Sequence, residues 1–528
     1  MFRYILRKVA FLSTCGKNSN EKYKYKEVEE NRLCTDIDQN LEALKNILGS
    51  SNDIITREFV FAGEGRVKGL LVFIEDLVDN KIINESIIKP LISGTPLIYK
   101  KENADNVNVV KSEMLSVGDV KQENSMDEIV YSCLSGDTVL LIDGSAEALI
   151  IASQGGENRG VEESKTESVV RGPRESFSED LRTNTSLLRR KIKNPDLTLE
   201  KMKIGRRTGT MVCISYIKNL AAPELIEEVR RRLKAIDTDA ILESGYIEQF
   251  IEDAPFSIFP TVSHSEKPDV IAAKILEGRA AIMIDRTPFA LTVPMLFIED
   301  FQSPEDYYSR PYFSSFIRII RFLSFLISIL APATYVALTT FHQELIPTNL
   351  LLTMAAAREG TPFPSVLEAG IMVITFEILK EAGIRLPRPV GQAISIVGAL
   401  VVGESAVSAG LIGAPMVIVV AITAVSSFVV PFQSDTGSIL RIILLGLAGF
   451  MGAVGIMMGL LVLIVHLASL RSFGAPYFSP LAPHNASGMK DTAIRAPIWL
   501  MDTRPSSIDR DKRRRQAAHS KPEPPKKQ

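Results

Sequence analysis

A chain of 528 residues with 46% hydrophobic residues is too long for one core, so two or three domains are expected. A formal net charge of −2 gives no overall basic surplus for nucleic acid, and four cysteines without CxxC spacing (Cys15, Cys34, Cys133, Cys213) argue against a zinc site or a disulfide framework. The averages hide an asymmetry. Residues 21–310 mix charged and apolar residues as soluble α/β domains do, 315–470 are overwhelmingly apolar, and the chain beyond 485 is polar and finally basic.

The opening MFRYILRKVAFLSTCG is interrupted by Arg7 and Lys8, which spoils a secretory-signal core and leaves an amphipathic or frayed segment. A helix is expected near Ile37–Leu48, then two strands around the Gly-rich turn of REFVFAGEGRVKGLLVFIEDL, whose glycines miss the GxGxxG spacing. The polar stretch 101–127 reads as a loop or lobe boundary. GDTVLLIDGSAEALII (136–151) is strand, Asp-Gly turn and strand. GRAAIMIDRTPFALTV (278–293) repeats it at an offset of 142 residues, aligning Gly136 with Gly278 and Asp143 with Asp285. The two hairpins share one sheet, belong to two related lobes, or match by chance. Between them VVRGPRESFSEDLRTNTSLLRRKI (169–192) predicts a helix from Ser178 to Ile192. Its Arg171, Arg174, Arg182, Asn184, Arg189 and Arg190 form a candidate subunit-contact surface, the alternative being a solvated charged helix. TGTMVCISYI reads as a buried strand and PELIEEVRRRLKAI as an amphipathic helix with proline at its start. Helices alternating with strands make this region α/β or α+β.

FIRIIRFLSFLISILAPATYVALTTF (316–341) exceeds the roughly 20 residues a spanning helix needs. Further candidates are Val366–Ile384, Ala393–Ile412, Met416–Val430 and Ile442–Leu470, the last with Gly446, Gly449, Gly452, Gly455 and Gly459 as a packing seam. Arg310, Arg318 and Arg321 place the N-terminal domain in the cytoplasm, and Arg471, Lys490, Arg495 and RDKRRR (510–515) place the tail there too. An even number of crossings is then required against five candidates. Either Val366–Ile384 is re-entrant or interfacial, or the Gly-rich run is broken in two; four full spans plus one non-standard segment is the working count.

A charge at the centre of a membrane helix costs roughly 2.5–3.5 kcal/mol, so glutamates in this region are the first candidates for function. Glu368 and Glu377 fall on opposite faces of one helix, Glu368 with Met372 and Thr375, Glu377 with Glu381. With Glu404 these are candidate pore or coupling residues, and an acid repeated in a symmetric oligomer would favour cations. Glu404, flanked by apolar segments, reads as the most deeply buried. Glu377 and Glu381 alternatively sit at headgroup level beside Arg385 and Arg388, and Glu368 alternatively serves a helix N-terminus.

These segments resemble the A subunits of the spore germinant receptors, the GerA family of endospore-forming bacteria. The resemblance rests on GDTVLLIDG, VVRGPRESFSEDLRTNTSLLRRKI, IGRRTGT, ILESGYIEQFIED, HSEKPDVIAAKILEGRAAIMIDRTPFAL, EDYYSRPYFSSFIRIIR, PFPSVLEA, EILKEAGIRLPRPVGQAISIVGALVVGESAVSAGLI, HLASLRSFGAPYFSPLAP and RAPIW, in that order across residues 50–505. HSEKPD and Glu162–Ser164 depart from the usual family pattern. The resemblance implies a multi-pass protein of the bacterial cell or inner spore membrane, both termini cytoplasmic. It implies work beside a transporter-like B subunit and a lipoprotein C subunit, self-assembly as a pentamer, and a cation channel opened by nutrient.

The expected architecture is a tail (1–50), a two-lobed α/β cytoplasmic domain (51–310), a helical polytopic membrane domain (311–471), an ordered cytoplasmic extension (472–505) and a basic tail (506–528) against membrane lipid. A secondary transporter or a non-conducting signal scaffold is the alternative, although no internal hydropathy symmetry supports transport. No HExxH, GxSxG or P-loop occurs and the five histidines are dispersed, so neither an enzyme nor a cofactor is expected.

Overall fold

The computed structural model describes residues 32–49, 51–61, 67–93, 106–155, 164, 166–167, 169–385, 403–505, 508 and 514–516. It divides into two compact units, 1–47 with 54–155 and 48–53 with 156–528. In the first, α1 (Ile37–Leu48), β1 (Ile54–Val60), β2 (Lys68–Ile74), β3 (Val120–Glu123), α2 (Met126–Ser135), β4 (Thr138–Ile142) and β5 (Ala148–Ile151) build an antiparallel sheet of order β1-β2-β4-β5-β3. Every residue of β4 and β5 is buried, so both faces of the sheet's centre are covered. The polar stretch 101–127, expected as a loop or boundary, supplies β3 and the start of α2 inside this lobe. Its charges occupy the partly exposed edge strand.

The second unit opens with the same plan. It runs α3 (Leu181–Lys191), β6 (Leu197–Ile204), β7 (Thr210–Ile217), α4 (Pro223–Ala235), α5 (Ser244–Ile251), β8 (Ser263–Ser265), α6 (Pro268–Leu276), β9 (Ala280–Ile284) and β10 (Ala290–Val293), with sheet order β6-β7-β9-β10-β8. The repeat seen in the two hairpins extends through the whole lobe. Elements β2, α2, β4 and β5 start at 68, 126, 138 and 148, and β7, α6, β9 and β10 start at 210, 268, 280 and 290. Gly136 and Gly278 end the equivalent helices at φ +100° and +97°, a left-handed conformation that only glycine adopts cheaply. Each hairpin therefore sits at the same place in its own sheet, which excludes both a shared sheet and chance.

The helical region follows in the second unit: α7 (Pro311–Thr340), α8 (Thr348–Arg358), α9 (Ser365–Arg385), α10 (Ala414–Ser427) and α11 (Ser434–Ser469). Contacts fix the directions of α7, α9 and α11. The start of α7 is tied to the α/β lobe through Ser314 and Asp306, and at its far end His342 accepts a bond from Ala453 N–H. Ser365 at the start of α9 lies 3.3 Å from Thr339 at the far end, while Lys380 near its finish reaches Ser434 at 2.6 Å. Helix α11 is not a straight rod. Gly452 takes φ +60° and ψ −138°, and the chain reverses there. Thr436 bonds the Ile258 carbonyl and His466 bonds Ser257, so both ends of α11 return to the same two residues. The long Gly-rich run is thus a helical hairpin of arms 434–451 and 453–469, each about 25 Å at ~1.5 Å per residue. The Gly-rich run is therefore broken in two, as one of the two expected explanations for the odd segment count had it.

By length and composition, two described helices are long and apolar enough to cross a membrane, Pro311–Thr340 and Pro431–Ser469; Ala414–Ser427 is apolar but shorter. The first half of the expected segment Ala393–Ile412 lies outside the described residues, as does most of the basic tail.

Candidate functional site

Helix α9 carries the acids at the centre of the candidate site. Its exposed side is apolar: Leu367, Ile371, Ile374 and Ile378. Glu368 and Glu377 instead point between this chain's own helices.

Glu368 is fully buried. Its Oε1 accepts the backbone N–H of Gly413, the residue that caps α10, and Arg358 Nε at the end of α8 lies 3.8 Å from Oε2. A helix beginning among apolar side chains leaves N–H groups without partners, and a carboxylate there answers both the missing acceptor and the positive end of the helix dipole. A side chain at 413 would have its Cβ 3.2 Å from Glu368 Oε1 and 3.1 Å from Arg358 Cγ, so glycine permits this close approach. Tyr335, Met372, Ile412 and Met416 enclose the group.

Glu377 sits about two and a half turns further along α9. It accepts hydrogen bonds from Arg441 Nη1 at 2.7 Å and Ser438 Oγ at 2.8 Å, with Lys380 Nζ 3.6 Å away. Arg441, 1% exposed, donates its Nε to the backbone carbonyl of Ser328 at 2.8 Å. That carbonyl lies four residues before Pro332, which has no N–H to return to it. Arg441 thus replaces the helix bond that Pro332 removes and pairs with the acid opposite. Sequence reasoning missed Arg441, which stands one residue before the apolar run; its signal was a proline inside one span and a lone arginine at the edge of another.

Other expected residues fall differently. Glu381 pairs with Arg385 one turn on, at the exposed end of α9. The expected partnership of Glu377 with Arg385 is replaced by Arg441; Arg388 lies outside the described residues. Thr375 is half-buried. Glu404, expected as the most deeply buried acid, is exposed, because its helical turn at 403–408 lies on the outside of this unit. Of the proposed subunit-contact surface, Arg171, Arg174, Arg182 and Arg190 are exposed. Asn184 and Arg189 are interior. Asn184 binds both backbone groups of Ser178, and Arg189 forms a buried pair with Asp53 at 2.8 Å and bonds Ser51. Neither can contribute to a surface, because withdrawing a buried charge from its partner is costly.

A second charged cluster joins the α/β lobe to α7. Asp306 receives Arg318 Nε at 2.8 Å and Arg321 Nη1 at 2.7 Å; Arg318 also reaches Asp491 of the C-terminal extension at 2.7 Å. Arg318 has no exposed surface and Tyr307 bonds Asp491 at 2.7 Å. The two arginines at the start of α7 are thus neutralised locally. Close by, buried Asp300 accepts from Gln433 at the start of the hairpin, and burial pushes its carboxyl up to about 7.

The chain matches the family described as Bacillus/Clostridium GerA spore germination protein over residues 42–507. It is 47% identical over 488 residues to spore germination protein KA of Bacillus subtilis (strain 168), covering 92% of this chain and 89% of that protein. Spore germination protein GerLA of Bacillus cereus is 38% identical, covering 89% of this chain and 94% of its own length. The crystal structure of the N-terminal domain of the A subunit of the Bacillus megaterium spore germinant receptor GerK3 aligns at 36% identity and a TM-score of 0.40, covering 50% of this chain and 97% of that one. The chain belongs to the GerA spore germination protein family.

Proposed function

We propose that this protein is the A-type subunit of a spore germinant receptor, held in a spore membrane by its helical region and acting without catalysis in nutrient-triggered germination. The observation that carries this reading is the family match over 42–507, with relatives named as spore germination proteins aligned along nearly their whole length. The helix directions support a multi-pass arrangement in which α7 leads away from the α/β lobe, α9 and α10 return, and the α11 hairpin goes out and back. Both the α/β domain and the C-terminal extension then lie on one side, the cytoplasmic one. Partner subunits, a B-type transporter-like protein and a C-type lipoprotein, and self-association into a ring belong to the same reading.

Within it, α9 is the coupling element. Its two acids hold α10 and α11 in register, Glu368 through the cap of α10 and Glu377 through Arg441. Ion conduction would require one of these latches to open, since neither acid faces an open path within this chain. Ion flux through reconstituted receptor and the fall in absorbance of spore suspensions after nutrient addition test the reading. Glu368→Gln keeps the shape but weakens the acceptor at Gly413, and is expected to alter nutrient-triggered flux and germination together. Unchanged flux and germination in that variant would remove the coupling role.

A further inference from the structure

Helix α5 and the loop after it present an apolar face that the fold does not use. Ile247 and Ile251 enter the core of the second lobe, whereas Leu242, Tyr246 and Phe250, four residues apart and about 100° round from them, are 63%, 46% and 53% exposed. Phe256 follows, fully exposed. Tyr246 and Phe250 one turn apart on the helix, with Leu242 just before it and Phe256 just after it, form a patch rather than scattered exposure.

The position of the patch identifies its occupant. Ser257, next to Phe256, shares a 2.9 Å hydrogen bond with His466, and the neighbouring Ile258 carbonyl accepts from Thr436, so the loop after α5 rests on both ends of the helical hairpin. At the other end of α5, its cap Glu243 is within electrostatic reach of His264, whose ring meets Phe432 at 5.8 Å just before the hairpin begins. The loop after α5 is therefore anchored at one end of the helical region, and α5 lies beside that end. From His466 the exposed apolar side of the second arm continues through Val465 and Val462, 61% and 66% exposed.

We propose that α5 and its following loop form a membrane-surface anchor, with Leu242, Tyr246, Phe250 and Phe256 seated in the interfacial layer of the bilayer around the helices. The inference rests on the reading that those helices span a membrane. Aromatic rings suit this layer, and a helix lying in the interface buries its apolar face roughly 5–10 Å into it. The charged side chains on the patch's own helix and its C-terminal cap are the acids Glu248 and Glu252, so the proposed partner is the apolar and zwitterionic part of the lipid.

The test uses the full chain in phosphatidylcholine nanodiscs, with Cys15→Ser and Cys34→Ser, and an environment-sensitive fluorophore on Phe256→Cys or Tyr246→Cys. Reference labels are placed at Val462→Cys on the hairpin and Lys203→Cys on exposed β6. Lipids brominated near the top of the acyl chain are expected to cut the emission at 256 and 246 by about twofold or more, as befits a depth of several ångströms, and to leave 203 unchanged. Quenching at 462 without quenching at 256 and 246 would overturn the anchor while leaving the membrane reading intact. No quenching at 462 would overturn both. Labels at 256 and 246 that are shielded from aqueous iodide yet unquenched by bromolipid would assign the patch to a protein, and also overturn the anchor.

Discussion

Arg441 carries three obligations at once: the Ser328 carbonyl left by Pro332, the Glu377 carboxylate, and its own buried charge. Replacing it with leucine would leave the Ser328 carbonyl without its donor and Glu377 with only Ser438 and the more distant Lys380, and removing one member of a buried pair costs up to roughly 3–5 kcal/mol. Thermal melts of detergent-solubilised protein should show a large fall for Arg441→Leu, partly recovered in Arg441→Leu with Glu377→Leu, since the double variant no longer strands a charge. Equal falls would mean that the acid is not the partner that matters. Asp300 gives a pH-dependent expectation. Its folded-state carboxyl is raised to about 7 by burial, above the ordinary value of 3.8, so the folded form holds a proton that the unfolded chain has released. The stability this lends is present in full below the ordinary value and is lost as pH rises towards 7, where the folded protein must ionise a buried group. Asp300→Asn should flatten that slope and stabilise the protein at pH 8 by about 1–4 kcal/mol, because each tenfold difference in proton affinity between the folded and unfolded chain is worth about 1.36 kcal/mol. A melting temperature with the same pH slope in both proteins would count against it.

At the level of elements, Gly452 decides the shape of the last apolar run. Its backbone angles belong to a region that side chains avoid, and a Cβ there would stand 2.9 Å from Phe341. Gly452→Ala is expected to cost about 1–3 kcal/mol from backbone strain alone, with further loss from the clash, and should lower the melting temperature more than Gly446→Ala, where a Cβ meets open space. Composition did not reveal the reversal: five glycines spaced three or four apart look like a seam for helix packing. Gly449 does serve that purpose against Val366, but the turn depends on a single φ angle that no periodicity encodes. The lobe hairpins were easier to read, because a strand–turn–strand pattern is local and its 142-residue echo needs no tertiary knowledge. The extension of that echo to whole lobes was hidden, since the flanking helices and strands keep their spacing but not their side chains.

For the whole molecule, the hairpin makes a topological prediction. Cysteines placed at Asp435 and Ser469 should react with a membrane-impermeant maleimide from the same side as the α/β domain, and one at Phe450, 85% exposed near the turn, from the opposite side. Reaction at 435 and 469 from opposite sides would require a single long span instead. The acids show where sequence reading stops. That Glu368 and Glu377 would need partners was legible from their cost among apolar residues; which partners settle that cost was not, because Gly413 and Arg441 lie 45 and 64 residues away. Glu404 was misjudged for the related reason that apolar flanks do not say which side of a helix faces out.

The bond between Arg318 and Asp491 joins residues 173 apart in the chain. At roughly 5–20 residues per second, a ribosome makes the first span about 10–30 s before it makes the carboxylate that completes the setting of Arg318. Until then the guanidinium has only Asp306, and the backbone carbonyls of Asp491 and Thr492 that also receive it do not yet exist. A product that stops early, or loses its C-terminal extension to a protease, keeps its long apolar helices but leaves an incompletely paired arginine where the chain enters its helical region. The setting of Arg318 at the start of α7 is thus completed only when the segment around Asp491 has been made and has folded back onto it.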